Sequence, residues 1–311
     1  MRTRMPPSEN PRRSALPLLL VVGAGLVCAG CHPGNEEAKR LTHACDTGDA
    51  AACSGLGQKL LKGEYILRDP PRAARVLTQA CDGKVAEGCS QLGVLYQDGR
   101  GVTRDSAQAL SLFRQGCDGG AMAGCTRLGI LHQRGAGVPK DATRAEALFQ
   151  QACEGGQQPA CAHLGELYTD GEGVTQDVAR AAGLFRQSCD GKALRGCVGL
   201  GRLHSIGAGV AQNDSLAGVL FKQACDGNEP SGCFRLAERY ENGKGVTQDF
   251  GKAADFYYWA CDGRIGEACY RMAELYEKGA GVRRNPERAA ATRRRACEYG
   301  YAPACPAPKG A

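Results

Sequence analysis

The chain has 311 residues, of which 43% are hydrophobic and 23% charged, fractions that are ordinary for a folded protein and exclude wholesale disorder. Its 18 cysteines argue against a reducing cytoplasm, where disulfides are rare. The formal net charge is +6, but four basic residues and one acidic residue precede residue 31, so 35 basic and 32 acidic residues remain beyond that point. This near balance argues against nucleic acid or another polyanion as a partner.

Residues 1–30 have the pattern of an export signal. A basic stretch ends at residue 13, and the apolar run 15–27 that follows is too short for a transmembrane helix. The run ends in Cys-Ala-Gly-Cys, which resembles the bacterial lipobox. That resemblance implies that Cys31 is lipidated and becomes the first residue of the mature protein. Cys28 departs from the usual leucine, so ordinary signal cleavage after Ala29 remains an alternative.

Both cleavage routes lead out of the cytoplasm. We therefore expect a protein of the bacterial cell envelope, either a membrane-anchored lipoprotein that faces the periplasm or a secreted protein. The segment from Cys28 to His32 also matches the Cys-x-x-Cys-His spacing of covalent haem attachment. Either cleavage would remove Cys28, and no folded pocket would surround this position. We therefore predict no haem and no other cofactor.

From residue 45 to residue 305 the chain repeats with a period of 36 residues. Two series of cysteines follow this period through seven full units and a half unit, without insertion or deletion. Chance does not produce such regularity, so the chain is a repeat array. The first series is Cys45, Cys81, Cys117, Cys153, Cys189, Cys225, Cys261 and Cys297, and the second is Cys53, Cys89, Cys125, Cys161, Cys197, Cys233, Cys269 and Cys305.

Each unit predicts two helices. Apolar residues at helical spacing follow the second cysteine, and a recurring Gly or Ala among them indicates a first helix that another helix approaches closely. A Gly-x-Gly-Val segment such as 171–174 ends this helix, and a recurring Asp or Asn can cap a second one. The unit is therefore a helical hairpin, and the fold class is an all-α solenoid.

The periodicity also divides the chain. We predict a signal peptide at 1–30, a short tether at 31–44, seven hairpins with a C-terminal half repeat at 45–305, and a tail at 306–311. The seventh unit loses its apolar face in the segment 291–295. A polar terminal repeat is expected in a solenoid, because no neighbour covers it.

The spacing of the cysteines decides between three chemistries. Structural zinc needs ligand pairs two to four residues apart, and reactive thiols need a recurring basic partner; the sequence has neither. Disulfides remain, in one of two registers. Pairing Cys53 with Cys81 would leave the first and last cysteines unpaired, whereas pairing Cys45 with Cys53 uses all sixteen. We therefore predict eight disulfides between cysteines eight apart, from Cys45–Cys53 to Cys297–Cys305, and no metal.

These residues carry a family resemblance. The pattern LGxLYxxGxGVxxDxxxAxxLFxxAC with paired cysteines resembles the Sel-one-like repeat (SLR) family and, more narrowly, the Helicobacter cysteine-rich proteins. The resemblance covers residues 45–305. It implies a tetratricopeptide-like right-handed solenoid and an adaptor or scaffold role. Resemblance to the cysteine-rich branch implies an alternative function, penicillin binding with slow β-lactam hydrolysis.

The residues themselves predict no catalytic site. Serine β-lactamases use Ser-x-x-Lys to activate the nucleophile, and Ser54, Ser90 and Ser111 all lack that lysine. The sequence has neither HExxH nor a Gly-x-Ser-x-Gly elbow. His132 and His204 occupy a position that tyrosine holds in other repeats, which favours a packing role over a catalytic one. Sequence chemistry therefore leans against an enzyme.

A binding face is the function that the repeats favour. Solenoids of this type present their first helices along a concave face, and variable polar residues between the apolar positions would line it. Mixed charge at such positions is typical of a groove that binds a protein or peptide, and also of any exposed helix. We expect a monomer that attaches to the membrane only through a lipid at Cys31. The candidate binding residues are Arg127, His163, Arg235 and Arg271 at one recurring position, and Glu166, Arg202, Glu238 and Glu274 at another.

Overall fold

A computed structural model describes residues 33–305 of the protein. The predicted signal peptide, Cys31 and the tail at 306–311 lie outside the described residues. Within them the chain forms helices and no strand, which confirms the all-α fold class. A short 3₁₀-helix, Ala302–Ala304, ends the array. The α-helices are α1 (Pro33–Asp46), α2 (Ala50–Lys62), α3 (Pro70–Asp82), α4 (Ala86–Asp98), α5 (Ser106–Asp118), α6 (Met122–Arg134), α7 (Ala142–Glu154), α8 (Gln158–Asp170), α9 (Val178–Asp190), α10 (Leu194–Ile206), α11 (Asp214–Asp226), α12 (Pro230–Asn242), α13 (Phe250–Asp262), α14 (Gly266–Lys278) and α15 (Pro286–Glu298).

The helices pack as seven consecutive hairpins, from α2 with α3 to α14 with α15. Each even-numbered helix is the first helix of a repeat and contacts the second helices on both sides of it. Consecutive first helices from α2 to α12 also contact one another, so they form a row of their own. From the sequence, these first helices are expected to form the concave face of the solenoid. It is the surface on which a ligand would meet several repeats at once.

The predicted caps define where each helix begins and ends. Every second helix from α3 to α15 follows an Asp or Asn whose side chain accepts a hydrogen bond from the first turn, as Asp69 does from the Arg72 amide at 2.9 Å. Every first helix from α2 to α14 ends at a glycine in the left-handed region, for example Gly99 at φ 66°. These local signals explain why the hairpins keep one length.

The recurring glycine inside the first helix is required by close packing. A Cβ atom added to Gly129 would lie 2.6 Å from the Phe149 ring, and one added to Gly93 would lie 2.7 Å from the Phe113 ring. Both phenylalanines are fully buried. The prediction that another helix approaches too closely for a side chain is therefore confirmed, and that helix is the second helix of the same hairpin.

Eight disulfides join the end of each second helix to the start of the next repeat. Each links cysteines that are eight residues apart, with Cα–Cα distances from 4.5 to 4.8 Å. Most of these cysteines are buried. The bridges lie between hairpins, and no bridge of the described chain crosses a hairpin. The junctions between repeats are therefore covalently closed.

The N-terminal end of the array differs from the prediction, whereas the C-terminal end agrees with it. Residues 33–44, predicted as a tether, form most of α1, so that prediction is wrong. Ala38, Leu41 and Cys45 lie at helical spacing and pack on the first repeat, and Cys45 bonds to Cys53. The segment lacks the repeat's other markers, which is why periodicity did not reveal this helix. At the other end α15 buries only two alanines, as expected for a terminal repeat.

Candidate functional site

Two grooves open on the row of first helices. The first groove has a volume of about 320 Å³ and crosses α4, α6 and α8. The second groove has a volume of about 370 Å³ and crosses α8, α10 and α12. Helix α8 separates them. The first groove is lined centrally by Gln91, Val94, Arg127, Ile130 and His163, and the second by Glu166, Arg195, Val198, Arg202 and Arg235.

The structure divides the predicted binding residues into three groups. Arg127 and His163 line the first groove. Glu166, Arg202 and Arg235 line the second. The remaining three, on α12 and α14, do not line either groove and form local ion pairs instead. These three are Glu238, Arg271 and Glu274.

Sequence reasoning missed three residues of the first groove. Gln91 lies 36 residues before Arg127, at the same recurring position, and Val94 and Ile130 recur at the position of Glu166. The period was therefore sufficient to find them. Their side chains are uncharged, so mixed charge at the variable positions did not indicate them.

The first groove contains polar atoms without a hydrogen bond. Gln91 Nε2 donates to Glu87 Oε1 at 3.1 Å, and this leaves Gln91 Oε1 buried with no hydrogen bond within residues 33–305. His163 is only 8% exposed, and its ring stacks on Phe149 at 5.2 Å between centroids. Its buried Nδ1 atom lies 3.5 Å from Glu166 Oε2, a contact too long to count as a hydrogen bond. An unsatisfied buried polar group costs about 1–3 kcal/mol, so these atoms reduce the stability of the helices around the groove.

The second groove is organised by an ion pair. Arg195 donates two hydrogen bonds to Glu166, from Nε at 2.5 Å and from Nη2 at 2.9 Å. Burial alone would raise the pKa of Glu166, but the neighbouring His163 and Arg195 outweigh it and lower that pKa. Glu166 is therefore ionised at neutral pH. Arg202 of α10 also lines this groove. It is exposed and forms no hydrogen bond or ion pair with any described residue.

A missing side chain shapes the floor of the second groove. Gly199 occupies the position that holds His163 one repeat earlier and Arg235 one repeat later. A Cβ atom on Gly199 would lie 2.5 Å from the Phe185 ring, so the backbone rests directly on that ring. Both residues line the groove. The second groove therefore combines an apolar floor with charged walls.

The serine hydroxyls of this region have structural partners. Ser90 donates to the Ala86 carbonyl at 3.1 Å, and Ser188 donates to the Gln158 carbonyl at 2.9 Å. Ser231 donates to Glu229 Oε1 at 2.6 Å, where Glu229 caps the start of α12. These are contacts of helix backbones and caps. Each of these three hydroxyls therefore stabilises a helix or its cap.

The two buried histidines of the tyrosine position differ. His204 Nδ1 lies 3.0 Å from the Ala211 carbonyl oxygen, whereas both ring nitrogens of His132 are buried without a hydrogen bond to the described chain. Burial, followed by the charge of Arg144, lowers the pKa of His132.

Residues 33–305 contain no cluster of three or more His, Cys, Asp or Glu residues that could bind a metal, and no helix long and apolar enough to cross a bilayer.

Two solved SLR structures resemble most of this chain. The crystal structure of a protective antigen of uropathogenic Escherichia coli, which displays an SLR fold, is 25% identical with a TM-score of 0.61. That match covers 86% of this chain but only 57% of the antigen, so this chain spans less than two thirds of its length. A Sel1 repeat protein from Oxalobacter formigenes is 23% identical with a TM-score of 0.62, covering 87% of this chain and 78% of that one.

A smaller solved structure matches part of the array, and a family profile matches the individual repeats in sequence. Cysteine rich protein B of Helicobacter pylori is 28% identical over 42% of this chain and 96% of its own, with a TM-score of 0.35. No curated protein matches the chain in sequence. The Sel1 repeat profile matches it seven times, at residues 50–84, 86–120, 123–157, 158–192, 194–229, 230–263 and 266–291. Because these matches span most of the helical array, the chain belongs to the Sel1 repeat family.

Proposed function

We propose that this protein is an exported binding scaffold whose row of first helices holds a segment of a protein or peptide partner. The observation that carries this proposal is the pair of grooves on that row, each crossing three repeats. A groove built by three helices presents side chains from several repeats to one ligand. Grooves of about this size are typical of ligand-binding sites.

The disulfides support the compartment that we propose. Eight bridges in one chain form and persist in an oxidising environment, such as the bacterial periplasm or the cell exterior. The sequence pattern at Cys31 suggests a lipid anchor, which would tether a monomeric array to the membrane by its N-terminus. In that arrangement the grooves stay free to receive a partner from the envelope.

Site-specific photo-crosslinking tests the proposal. A photoreactive amino acid is placed at Arg202 in the second groove, and at Arg186 on the second helix α9 as a control, in the cells that make the protein. We expect a discrete protein or peptide adduct from position 202 and none from position 186. Adducts that form only from position 186 would assign binding to the second helices and contradict the proposal.

A further inference from the structure

We infer that the loop between α2 and α3 of the first repeat docks on a phospholipid bilayer, with Leu67 among the acyl chains and Arg68 at the phosphate groups. This inference rests on the lipid anchor at Cys31 in the proposed function, and it adds a second membrane contact to that anchor. Three observations lead to it: the place of the loop in the fold, its exposed apolar side chains, and the balance of charge around it.

The loop lies beside the first described turn of the chain. Helix α1 begins at Pro33, two residues after Cys31 in the sequence, and two residues of chain span at most about 7 Å. A Cβ atom added to Gly34 would overlap the Tyr65 ring, so this ring rests on the first turn of α1. Helix α1 packs on the first hairpin and is therefore not a flexible spacer. A lipid at Cys31 would bring the loop to the bilayer surface.

Tyr65 occupies a position that glycine holds in every later repeat. Its φ of 58° lies in the left-handed region, which a bulky residue rarely adopts. In the next repeat a Cβ atom on Gly101 would overlap the backbone of Pro70, at the start of the preceding second helix. In the first repeat the arrangement is reversed, because Gly34 lies in the helix and the ring lies in the loop. The later glycines are Gly101, Gly137, Gly173, Gly209, Gly245 and Gly281.

This exchange places an aromatic ring where the repeat does not require one. Tyr65 is 53% exposed, and tyrosine is enriched where proteins meet the surface of a bilayer, because its ring is apolar and its hydroxyl is polar. Strain at a bulky residue persists where the surrounding structure fixes it, and it is concentrated at functional positions. The tyrosine therefore indicates a role that the later loops do not share.

Leu67 is the most exposed large apolar side chain of residues 33–305. It is 87% exposed, whereas Ile66 beside it packs on the core of the first repeat. The loop thus presents Tyr65 and Leu67 to the outside together. A leucine in this setting is unfavourable in water and favourable among acyl chains. The later repeats have no large apolar residue at its position, which holds Thr103, Pro139, Thr175, Ala211, Thr247 and Arg283.

The charges around the loop favour lipid phosphate. Arg68 is exposed and forms no hydrogen bond or ion pair with any described residue. Because it directly follows Leu67, its guanidinium can bind phosphate at the surface while the leucine lies deeper. The acidic side chains of the loop and of the start of α1 already have partners, namely Glu36 with Lys39, Glu37 with Lys59, Glu64 with Lys62 and Asp69 with the Arg72 amide.

Quenching by brominated lipids tests this inference on the mature protein, purified with its lipid and reconstituted into vesicles of phosphatidylethanolamine and phosphatidylglycerol. Trp259→Phe removes the single tryptophan of the chain, and Leu67→Trp then introduces one in the loop. Bromine on the acyl chains quenches an indole only inside the bilayer, so we expect at least about a twofold loss of emission from position 67. Thr175→Trp, at the same loop position three repeats later, is the matched control and should not be quenched.

A charge reversal tests the part assigned to Arg68. Arg68→Glu, added to the variant with the tryptophan at position 67, changes an exposed side chain that has no partner, so the fold should be kept. We expect quenching to fall about twofold or more in the vesicles that contain phosphatidylglycerol, because their negative surface repels the new carboxylate. Unchanged quenching would overturn the assignment of Arg68 to the phosphate groups.

The outcomes separate this inference from the proposed function. Absence of quenching at position 67, in a protein that carries the lipid, would overturn the inference and leave the anchor and the binding scaffold intact. Equal quenching at positions 67 and 175 would also overturn it, because several repeats would then meet the bilayer. An intact mass without a lipid would overturn the anchor together with this inference, while the crosslinks from position 202 would still decide the binding scaffold.

Discussion

The first and second grooves are built from equivalent positions of neighbouring repeats, yet they differ in chemistry. Where the first groove has Val94 and Ile130, the second has Glu166 and Arg202. The helices beneath them have the same length, and their second helices place an aromatic ring on the same glycine position. One backbone therefore presents an apolar groove and a charged groove side by side.

The difference shows which positions the fold leaves free. The cysteine positions and the glycine that ends each first helix are the same in every hairpin, the cap is always Asp or Asn, and the position that faces the aromatic ring is always Gly or Ala, because each satisfies a packing or backbone requirement. The groove positions point away from those contacts, so a change such as Ile130 to Glu166 in the next repeat costs the fold little. Specificity can therefore differ between adjacent repeats without a change in architecture.

The largest expected effect comes from the disulfide between the grooves. Replacing both Cys153 and Cys161 by alanine opens the nine-residue loop at the start of α8, the helix that both grooves share. The chain-entropy relation predicts a loss of roughly 2–3 kcal/mol in the free energy of unfolding, measurable by urea denaturation. Because α8 contributes to both grooves, ligand binding to each should weaken together.

The terminal disulfide provides the control for this change. Replacing Cys297 and Cys305 by alanine frees only the last 3₁₀-helix and the chain end. Its loop has the same length, but the freed end gains freedom in the folded state as well as in the unfolded one, so we expect a loss below about 1 kcal/mol. Equal losses from the two double variants would contradict this account. Peptide mapping of the unreduced protein checks the pairing, and bridges between cysteines 28 residues apart would refute it.

The next effect distinguishes the ion pairs of the second groove. Arg195→Ala removes both hydrogen bonds to Glu166, and because Arg195 is half exposed we expect a loss of about 1 kcal/mol at pH 7. The lowered pKa of Glu166 means that this stability is present above the unfolded pKa and is lost as pH falls through the folded one. The difference between wild type and variant, measured by thermal melting, should therefore shrink in acid.

A neighbouring ion pair serves as the matched comparison. Arg235 donates one hydrogen bond to Glu238, three residues away on the same helix, whereas Arg195 donates two to Glu166, so Arg235→Ala should cost less than about 0.5 kcal/mol. If Arg235→Ala were as costly as Arg195→Ala, the second groove would not be organised around Glu166.

A smaller effect separates the two buried histidines of the tyrosine position. Burial, with Arg144 as the second cause, lowers the pKa of His132 below its ordinary 6.5, while Asp141 opposes the shift. The unfolded chain then takes up a proton that the folded protein resists, so stability falls as pH drops below about 6.5. His132→Tyr, which restores the residue of other repeats, should reduce the decline in Tm between pH 7.5 and pH 5.

His204 is the control for this variant, since it holds the same position two repeats later. His204→Tyr removes the hydrogen bond with the Ala211 carbonyl and should lower stability by about 1 kcal/mol at both pH values. An unchanged pH dependence in His132→Tyr would show that another group governs the acid response.

The smallest expected effect concerns β-lactam hydrolysis, the alternative that the family resemblance raises. The serines of the two grooves donate to helix carbonyls or to a capping carboxylate, so we expect nitrocefin turnover by the purified protein no faster than in buffer. Turnover that disappears in Ser231→Ala would overturn this expectation and would place an active site in the second groove.

The sequence was sufficient for the repeat architecture because each of its signals is local. The 36-residue period, the capping Asp of the second helices and the glycine that faces Phe149 each report on neighbouring residues. The grooves were harder to predict because they depend on neighbours in different repeats. Nothing local indicates that His163 and Glu166, three residues apart on one helix, line opposite grooves.

The start of the array shows the same limit. Pro33 and Glu37 stand in α1 where the other second helices have a capping Asp or Asn and a buried alanine, so the repeat pattern gave no reason to extend the fold before Cys45. Its packing on the first hairpin and its bond to Cys53 stabilise it instead. Helix α1 is therefore stabilised by burial against its neighbour, without the local sequence signals of the other second helices.

The placement of the bridges also determines how the protein responds to tension. Each bridge prevents the eight-residue span between its two cysteines from extending under force. Fully extended, that span would be roughly 26–29 Å long at about 3.3–3.6 Å per residue. A pulling force on the two ends can therefore lengthen only the 28-residue segments within hairpins, such as that from Cys53 to Cys81. The junctions between repeats stay closed until a reductant reaches them, so the array behaves as a chain of extensible segments joined by rigid links.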